Sequence, residues 1–201
     1  MRRPFGTGNL VAMSDVRGVD AEPRHGSGSV TTGISAPASC PLAGMPVTVR
    51  PATPADRPAL EIVRRQALEA ALSGRYDRGA FAELVAEPEA ELETWLSSDR
   101  FSAVVAETAV TPAAFAVGDR RTGEVVAVYT APDYERRGYA TRALERVEQG
   151  ARSAGLEELT VWTPEPSVGF FTAAGFEPEE GRRVVAGVPH VRLWKALGDD
   201  R

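Results

Sequence analysis

The residue types best suited to chemistry in this 201-residue chain lie between Glu124 and Ala143. An apolar run ends at Pro132, a tight loop follows with Arg136, Arg137 and Gly138, and helix-forming residues begin at Tyr139. The first turn of a helix leaves N–H groups unpaired, and together with the helix dipole they form an anion site. Glycine at 138 lets the backbone approach a ligand closely, and small Ala140 keeps that approach open. Arg136 and Arg137 add charge-assisted bonds at the rim. This arrangement suits a pyrophosphate. Neither the dinucleotide-binding Gly-x-Gly-x-x-Gly nor the phosphate-loop Gly-x-x-x-x-Gly-Lys-Ser/Thr signature occurs.

The elements that must position this loop follow from periodicity. Val47 and Val49 alternate with polar residues as in a strand. Thr53 as N-cap, Pro54 at the first helical position and Asp56 near the positive end of the dipole predict a helix start. Leu60, Val63, Ala67, Leu68 and Ala71 mark its buried face, and Ser73-Gly74 its end. A second helix is expected between Asp77 and Ser97. Runs at 101–106, 113–117 and 124–130 predict a meander of consecutive antiparallel strands. A helix is expected over 137–154, with Ala140, Ala143, Leu144, Val147 and Ala151 on one face and Gly155 as its stop. A strand at 159–163, a short helix at 167–174 closed by Gly175, and a terminal strand around 191–194 complete the order β-α-α-β-β-β-α-β-α-β. The fold class is α+β, a mixed sheet flanked by helices, with no internal repeat.

Composition bounds the function. Seven of the 19 glycines fall in residues 1–44, a stretch without helical or strand period that cannot offset its ordering entropy. Two domains are therefore expected: a disordered leader or misassigned start at 1–44, with Met45 as natural start, and a folded unit at 45–201. A net charge of −5 argues against nucleic acid as partner. No run approaches the ~20 apolar residues of a membrane span, and no signal-peptide core is present, which predicts a cytoplasmic protein that does not engage membrane. One cysteine, Cys40, and two histidines, His25 and His190, leave no disulfide framework and no clustered zinc site. No metal is expected.

The frame Glu135-Arg136-Arg137-Gly138-Tyr139-Ala140 resembles the Arg/Gln-x-x-Gly-x-Gly/Ala signature of the GNAT superfamily of acyl-CoA-dependent N-acyltransferases, with Glu135 in place of Arg or Gln. Downstream, Pro164 to Phe176 is similar to that family's closing motif, with Phe170-Phe171 as its aromatic pair and Gly175-Phe176 as its end. Pro164 stands where Asn is usual, and Phe171 where a Tyr often protonates the departing thiolate. Val47, Val49, Arg50, Ala52 and Asp56 resemble a common opening of the family, so the likeness extends over about 47–197.

The resemblance implies a mostly antiparallel sheet in α-β-α layers whose fourth strand splays from the fifth. It implies acetyl-CoA as co-substrate, held by Val128, Tyr129, Thr130, Arg136, Arg137, Gly138, Tyr139, Ala140, Thr141, Phe170 and Phe171. The reaction implied is direct acetyl transfer to a primary amine, in a small molecule or peptide, through a tetrahedral intermediate. Glu124 is then the candidate general base, a solvated turn residue being the plainer alternative. With Phe171 lacking a hydroxyl, Tyr129, Tyr134, Tyr139, Thr172 or water remain as proton donors. Trp162 is a candidate border of the acceptor pocket, and Asp77, Glu83 and Glu87 are candidates for its far side. Trp95 and Trp194 read as packing residues, and His190 as a strand polar residue or base. A homodimer is compatible with the likeness. The alternative is a non-catalytic acyl-CoA-binding or regulatory module on the same fold.

Overall fold

Valine and phenylalanine in short runs between Phe101 and Thr130 favour pleated backbone, and with the alanines among them they build the centre of a seven-stranded sheet. A computed structural model describes residues 47–72, 88–185 and 187–198. The leader 1–44, Met45, the Ser73-Gly74 stop and Asp77, Glu83 and Glu87 lie outside the described residues.

Strand β1 (Thr48–Pro51) pairs with β2 (Phe101–Glu107), which continues antiparallel through β3 (Pro112–Asp119) to β4 (Glu124–Thr130). β4 then meets β5 (Glu158–Pro164) in parallel, and β6 (Glu177–Val185) and β7 (Val188–Ala196) complete the order β1-β2-β3-β4-β5-β7-β6. Helices α1 (Arg57–Leu72) and α2 (Pro88–Ser97) lie on one face, α3 (Tyr139–Ser153) and α4 (Val168–Ala173) on the other. The α-β-α layering expected from the family likeness is therefore present. No helix among the described residues is long and apolar enough to cross a membrane.

Each face has its own core. On the α3 side, Ala140, Ala143, Leu144, Val147 and Ala151 recur at helical spacing and pack on Val104, Ala106, Ala114 and Ala116. On the α1 side, Leu60, Val63, Ala67 and Leu68 pack with Leu92 and Trp95 against Phe115, Val126 and Tyr129. The chain's only lysine, Lys195 on β7, donates to Glu148 of α3 at 2.6 Å and to the Ala174 carbonyl beyond α4 at 2.8 Å. It thereby joins β7 to both helices of that layer.

One expectation needs correction. The single terminal strand is a hairpin, β6 and β7. Its first arm escapes periodicity because Pro178, Gly181 and five charged residues make an exposed edge strand ordered by pairing with β7. The helix start lies where expected, with Thr53 as N-cap, Pro54 at the first position and Asp56 in the first turn, a 3-10 turn at Pro54–Asp56 that runs into α1; Asp56 also serves the strand beside it. Arg50 of β1 donates to both Asp56 oxygens at 2.7 and 2.9 Å and to Glu107 of β2 at 3.0 and 3.1 Å. Thr53 N–H donates to Asp56 at 2.7 Å.

Hydrogen bonds from Arg50 hold the Asp56 carboxyl below the ordinary carboxylate range. A lowered folded-state pKa contributes stability that is complete above the unfolded value of about 4 and declines as pH falls. Asp56→Asn is expected to lower stability by about 1 kcal/mol at neutral pH, the half-exposed Arg50 being screened by solvent. Urea midpoints of the two proteins, measured across pH 7 to 3, should converge as the solution is acidified.

Candidate active site

The cleft originates in one extra residue. Gly118 of β3 faces Val125 of β4, and the next residue of β3, Val117, faces Ala127, so Val126 is a β-bulge. Its effect is visible in the cores: Val125 and Val128 belong to the α3 side, whereas Val126, Ala127 and Tyr129 belong to the α1 side. Backbone direction changes with it. Before the bulge, the Gly123 carbonyl accepts from Thr160 N–H of β5 at 2.9 Å. Beyond it, Ala131 N–H donates to the Ala113 carbonyl of β3 at 2.9 Å. Strand alternation then turns the Tyr129 and Ala127 amides toward β3 and those of Val128 and Thr130 toward β5.

β5 does not meet them. The parallel ladder between β4 and β5 consists of Glu124 with Thr160 and Val125 with Val161, after which β5 remains paired with β7 to Pro164. The strands splay from Val126 onward, as the family likeness implied. Thr130 Oγ1 of β4 and Thr163 Oγ1 of β5 are buried and have no hydrogen-bond partner among the described residues. The splay is thus lined by two amides and flanked by two hydroxyls that can bind a polar extended ligand.

At the C-terminal end of β4 a 3-10 turn, Pro132–Tyr134, leads into the loop before α3. Gly138 is the N-cap of α3 with φ +81°, and a Cβ built there would meet nothing within 4 Å. Glycine is needed for this backbone conformation, and the space before it is open. Arg136 also adopts positive φ, 54°. Arg136 and Arg137 are exposed at the rim, with Arg137 5.9 Å from the Tyr134 ring centroid. Tyr134 and Tyr139 meet edge to face at 5.6 Å and brace the loop from within. From Gly138 an open cleft of about 640 Å³ runs along α3 past Thr141, Arg142 and Arg146, with Val49 on its other side.

Not every expected side chain faces this cleft. Tyr129 is fully buried against Phe115 on the α1 side, and burial raises its pKa. Phe171 is fully buried edge to face between Phe170 and Phe176, a core position, whereas Phe170 is half-buried. Val128 and Ala140 contribute side chains to the α3-side core. Glu124 opens β4 beside Thr160, on the face away from α3, as the side chains of its neighbour Val125 and of Val161 point toward α3. The same face carries Trp162 on β5, with Arg192 and Pro164–His190 at successive register positions. His190 is 1% exposed, with Nδ1 2.8 Å from the Val188 carbonyl. Burial pushes its pKa below the usual value, so it is neutral at pH 7. Arg183 of β6 joins this group opposite His190. Neither Thr163, Arg183 nor the bulge at Val126 stands out in the sequence, because each acquires its place from a partner strand.

A splayed parallel pair beside a glycine-capped helix in a mostly antiparallel sheet defines the fold class. The Acetyltransferase (GNAT) family model matches residues 66–176, which include both motifs. The chain belongs to this family. Over 98 residues it is 32% identical to an amino-acid acetyltransferase of Pseudomonas paraeruginosa, a match spanning 49% of this chain and about a fifth of that protein, 22%. A GCN5-related N-acetyltransferase from Rhodopseudomonas palustris shares the fold with a TM-score of 0.66 at 21% identity, over 76% of this chain and 98% of that one. So does the PaiA N-acetyltransferase of Thermoplasma acidophilum in complex with coenzyme A, at TM-score 0.65 and 18% identity, over 76% and 99%.

Because a Cβ at 138 has room, any cost of a side chain there comes from the left-handed backbone alone. Gly138→Ala is expected to lower stability by about 1 kcal/mol, and Gly138→Asn by less because Asn tolerates that region. Thermal unfolding of the three proteins checks the order.

Proposed function

We propose that the chain transfers an acetyl group from acetyl-CoA to a primary amine. The observation that carries this reading is the splay itself, with two β4 amides directed into it within a few residues of the Gly138 helix terminus. Family membership and the coenzyme A-bound relative of the same fold support it.

The residues present fit acetyl-CoA. Amides of the Arg136–Gly138 loop and the first turn of α3, where Tyr139, Ala140 and Thr141 stand, hold the pyrophosphate, and Arg136 and Arg137 add charge at the rim. The orphan hydroxyls of Thr130 and Thr163 and the Val128 and Thr130 amides suit the amide groups and carbonyl of the pantetheine arm. Phe170 forms part of the wall, while Phe171 and Tyr129 act from behind, as packing. An amide of β4 in the dry splay stabilises charge growing on the thioester oxygen, an effect commonly worth about 3–4 kcal/mol per donor.

The acceptor must be neutral to attack. With an amine pKa of about 10.4, deprotonation at pH 7 costs roughly 4–5 kcal/mol. Glu124 takes that proton, directly or through water, as the new C–N bond forms and the C–S bond breaks. A thiol of pKa about 8.5 leaves as thiolate and takes a proton from solvent, so the reaction proceeds without a tyrosine at 171.

Calorimetry with acetyl-CoA and release of free thiol over a panel of amines test the reading together. Gly138→Glu places bulk and negative charge in the anion site and is expected to abolish coenzyme binding; undiminished affinity would refute the loop assignment. Binding without thiol release from any amine would instead favour a regulatory binding module. For Glu124→Gln the expected outcome is a lower rate at neutral pH that partly recovers as pH rises and the amine loses its own proton. A pH profile identical to the wild type would remove Glu124 from the mechanism.

A further inference from the structure

The two buried hydroxyls that flank the splay stand at different depths in it. Thr163 lies two residues beyond Val161, the last β5 residue paired with β4. On β4 the bulge at Val126 takes up one residue, so Val128 is level with Thr163, and Thr130 lies two residues, about 7 Å, nearer the loop before α3. An extended ligand with its pyrophosphate at Gly138 therefore passes Thr130 first and brings its far end, the thioester, to Val128 and Thr163. Alternation from Val161 puts the Thr163 side chain on the α3 face, the side of that loop. Its hydroxyl is buried and has no hydrogen-bond partner among the described residues. Phe171, by contrast, is fully buried and carries no hydroxyl.

The sulfur of a thioester is a weak acceptor of hydrogen bonds, whereas a thiolate is a charged and strong one. A hydroxyl beside it gains little from the bound thioester and much from the departing sulfur, which is the condition for speeding a step instead of merely tightening binding. We propose that the Thr163 hydroxyl donates a hydrogen bond to the coenzyme A sulfur as the C–S bond breaks, and so stabilises a thiolate that Phe171 cannot protonate. The electron pair of that bond goes to sulfur. Thr163 keeps its proton, a hydroxyl being a far weaker acid than a thiol, and solvent supplies the proton that completes the thiol. The proposal rests on the acetyl-transfer reading and adds a catalytic residue to it.

The test needs no acceptor. Coenzyme A bound to the full chain is titrated through the ultraviolet absorbance of its thiolate, with the free chain's own titration subtracted. Thr163→Val should raise the pKa of the bound thiol by about 1 to 2, the worth of a hydrogen bond to a charged acceptor, and Thr163→Ser should return it toward the wild type. With the amine of the panel that releases most thiol, Thr163→Val should lower kcat about tenfold while KM for acetyl-CoA stays within about threefold. Because the hydroxyl is unpartnered in the free protein, Thr163→Val without coenzyme should unfold at no lower temperature than the wild type. The proposal is overturned if the thiol pKa is the same in Thr163→Val and wild type, whatever the rate does, or if free Thr163→Val unfolds earlier, as the loss of a partnered hydroxyl would make it. A shifted thiol pKa without thiol release from any amine leaves the sulfur contact standing and defeats the transfer reading. Absence of coenzyme A binding to the wild type defeats both.

Discussion

A central strand carries one set of amides on each side, and β4 divides them unequally. β3 engages one side throughout, while β5 engages the other only at Glu124 and Val125. Val126 makes this division useful, because the bulge inverts the alternation and directs the Val128 and Thr130 amides into the space where β5 has turned away. In a regular strand those amides would face β3, and the splay would present Ala127 and Tyr129 instead. The bulge also sends Tyr129 into the α1-side core, where its ring meets Phe115 at 5.2 Å. Backbone polarity and core packing are thus set by the same inserted residue.

The two faces of the sheet serve different ends of the cleft. On the α3 face, the amphipathic helix is held by its apolar stripe and by the Lys195–Glu148 pair, which fixes its axis against β7. Its N-terminus therefore stays beside the end of β4. On the opposite face, α1 and α2 cover β2 to β4, joined by the buried Arg64–Glu91 pair at 3.0 Å. The same face carries Trp162 of β5, where strand register gathers charges from β4, β6 and β7. In a chain of net charge −5, the exposed Arg136–Arg137 rim concentrates positive charge beside the N-terminus of α3.

Local signals were sufficient for the loop and α3. Glycine before a 3.6-residue apolar period is a statement about backbone conformation and burial, and both Gly138 and the buried stripe of α3 occupy the expected positions. The central meander was legible because strands buried on both faces read as apolar runs. Edge strand β6 was not, since its residues are charged or strand-breaking and its order is supplied by β7. The roles of Phe171 and Tyr129 were equally hidden: an aromatic at a motif position does not reveal whether its ring faces a ligand or a core.

The sequence by itself determined the kind of fold, the family and the glycine-capped turn before α3, because each depends on residues close together in the chain. Only the tertiary structure decided which β4 amides open into the splay, that the Thr130 and Thr163 hydroxyls are left without partners among the described residues, and that Arg183 lies over the Trp162 ring. Those facts depend on register. A strand's side chains and amides alternate by single residues, so one bulge or one pairing offset reverses their direction, and the offset is fixed by pairing with another strand, across residues 7 to 16 apart between β3 and β4 and 26 to 38 apart between β5 and β7.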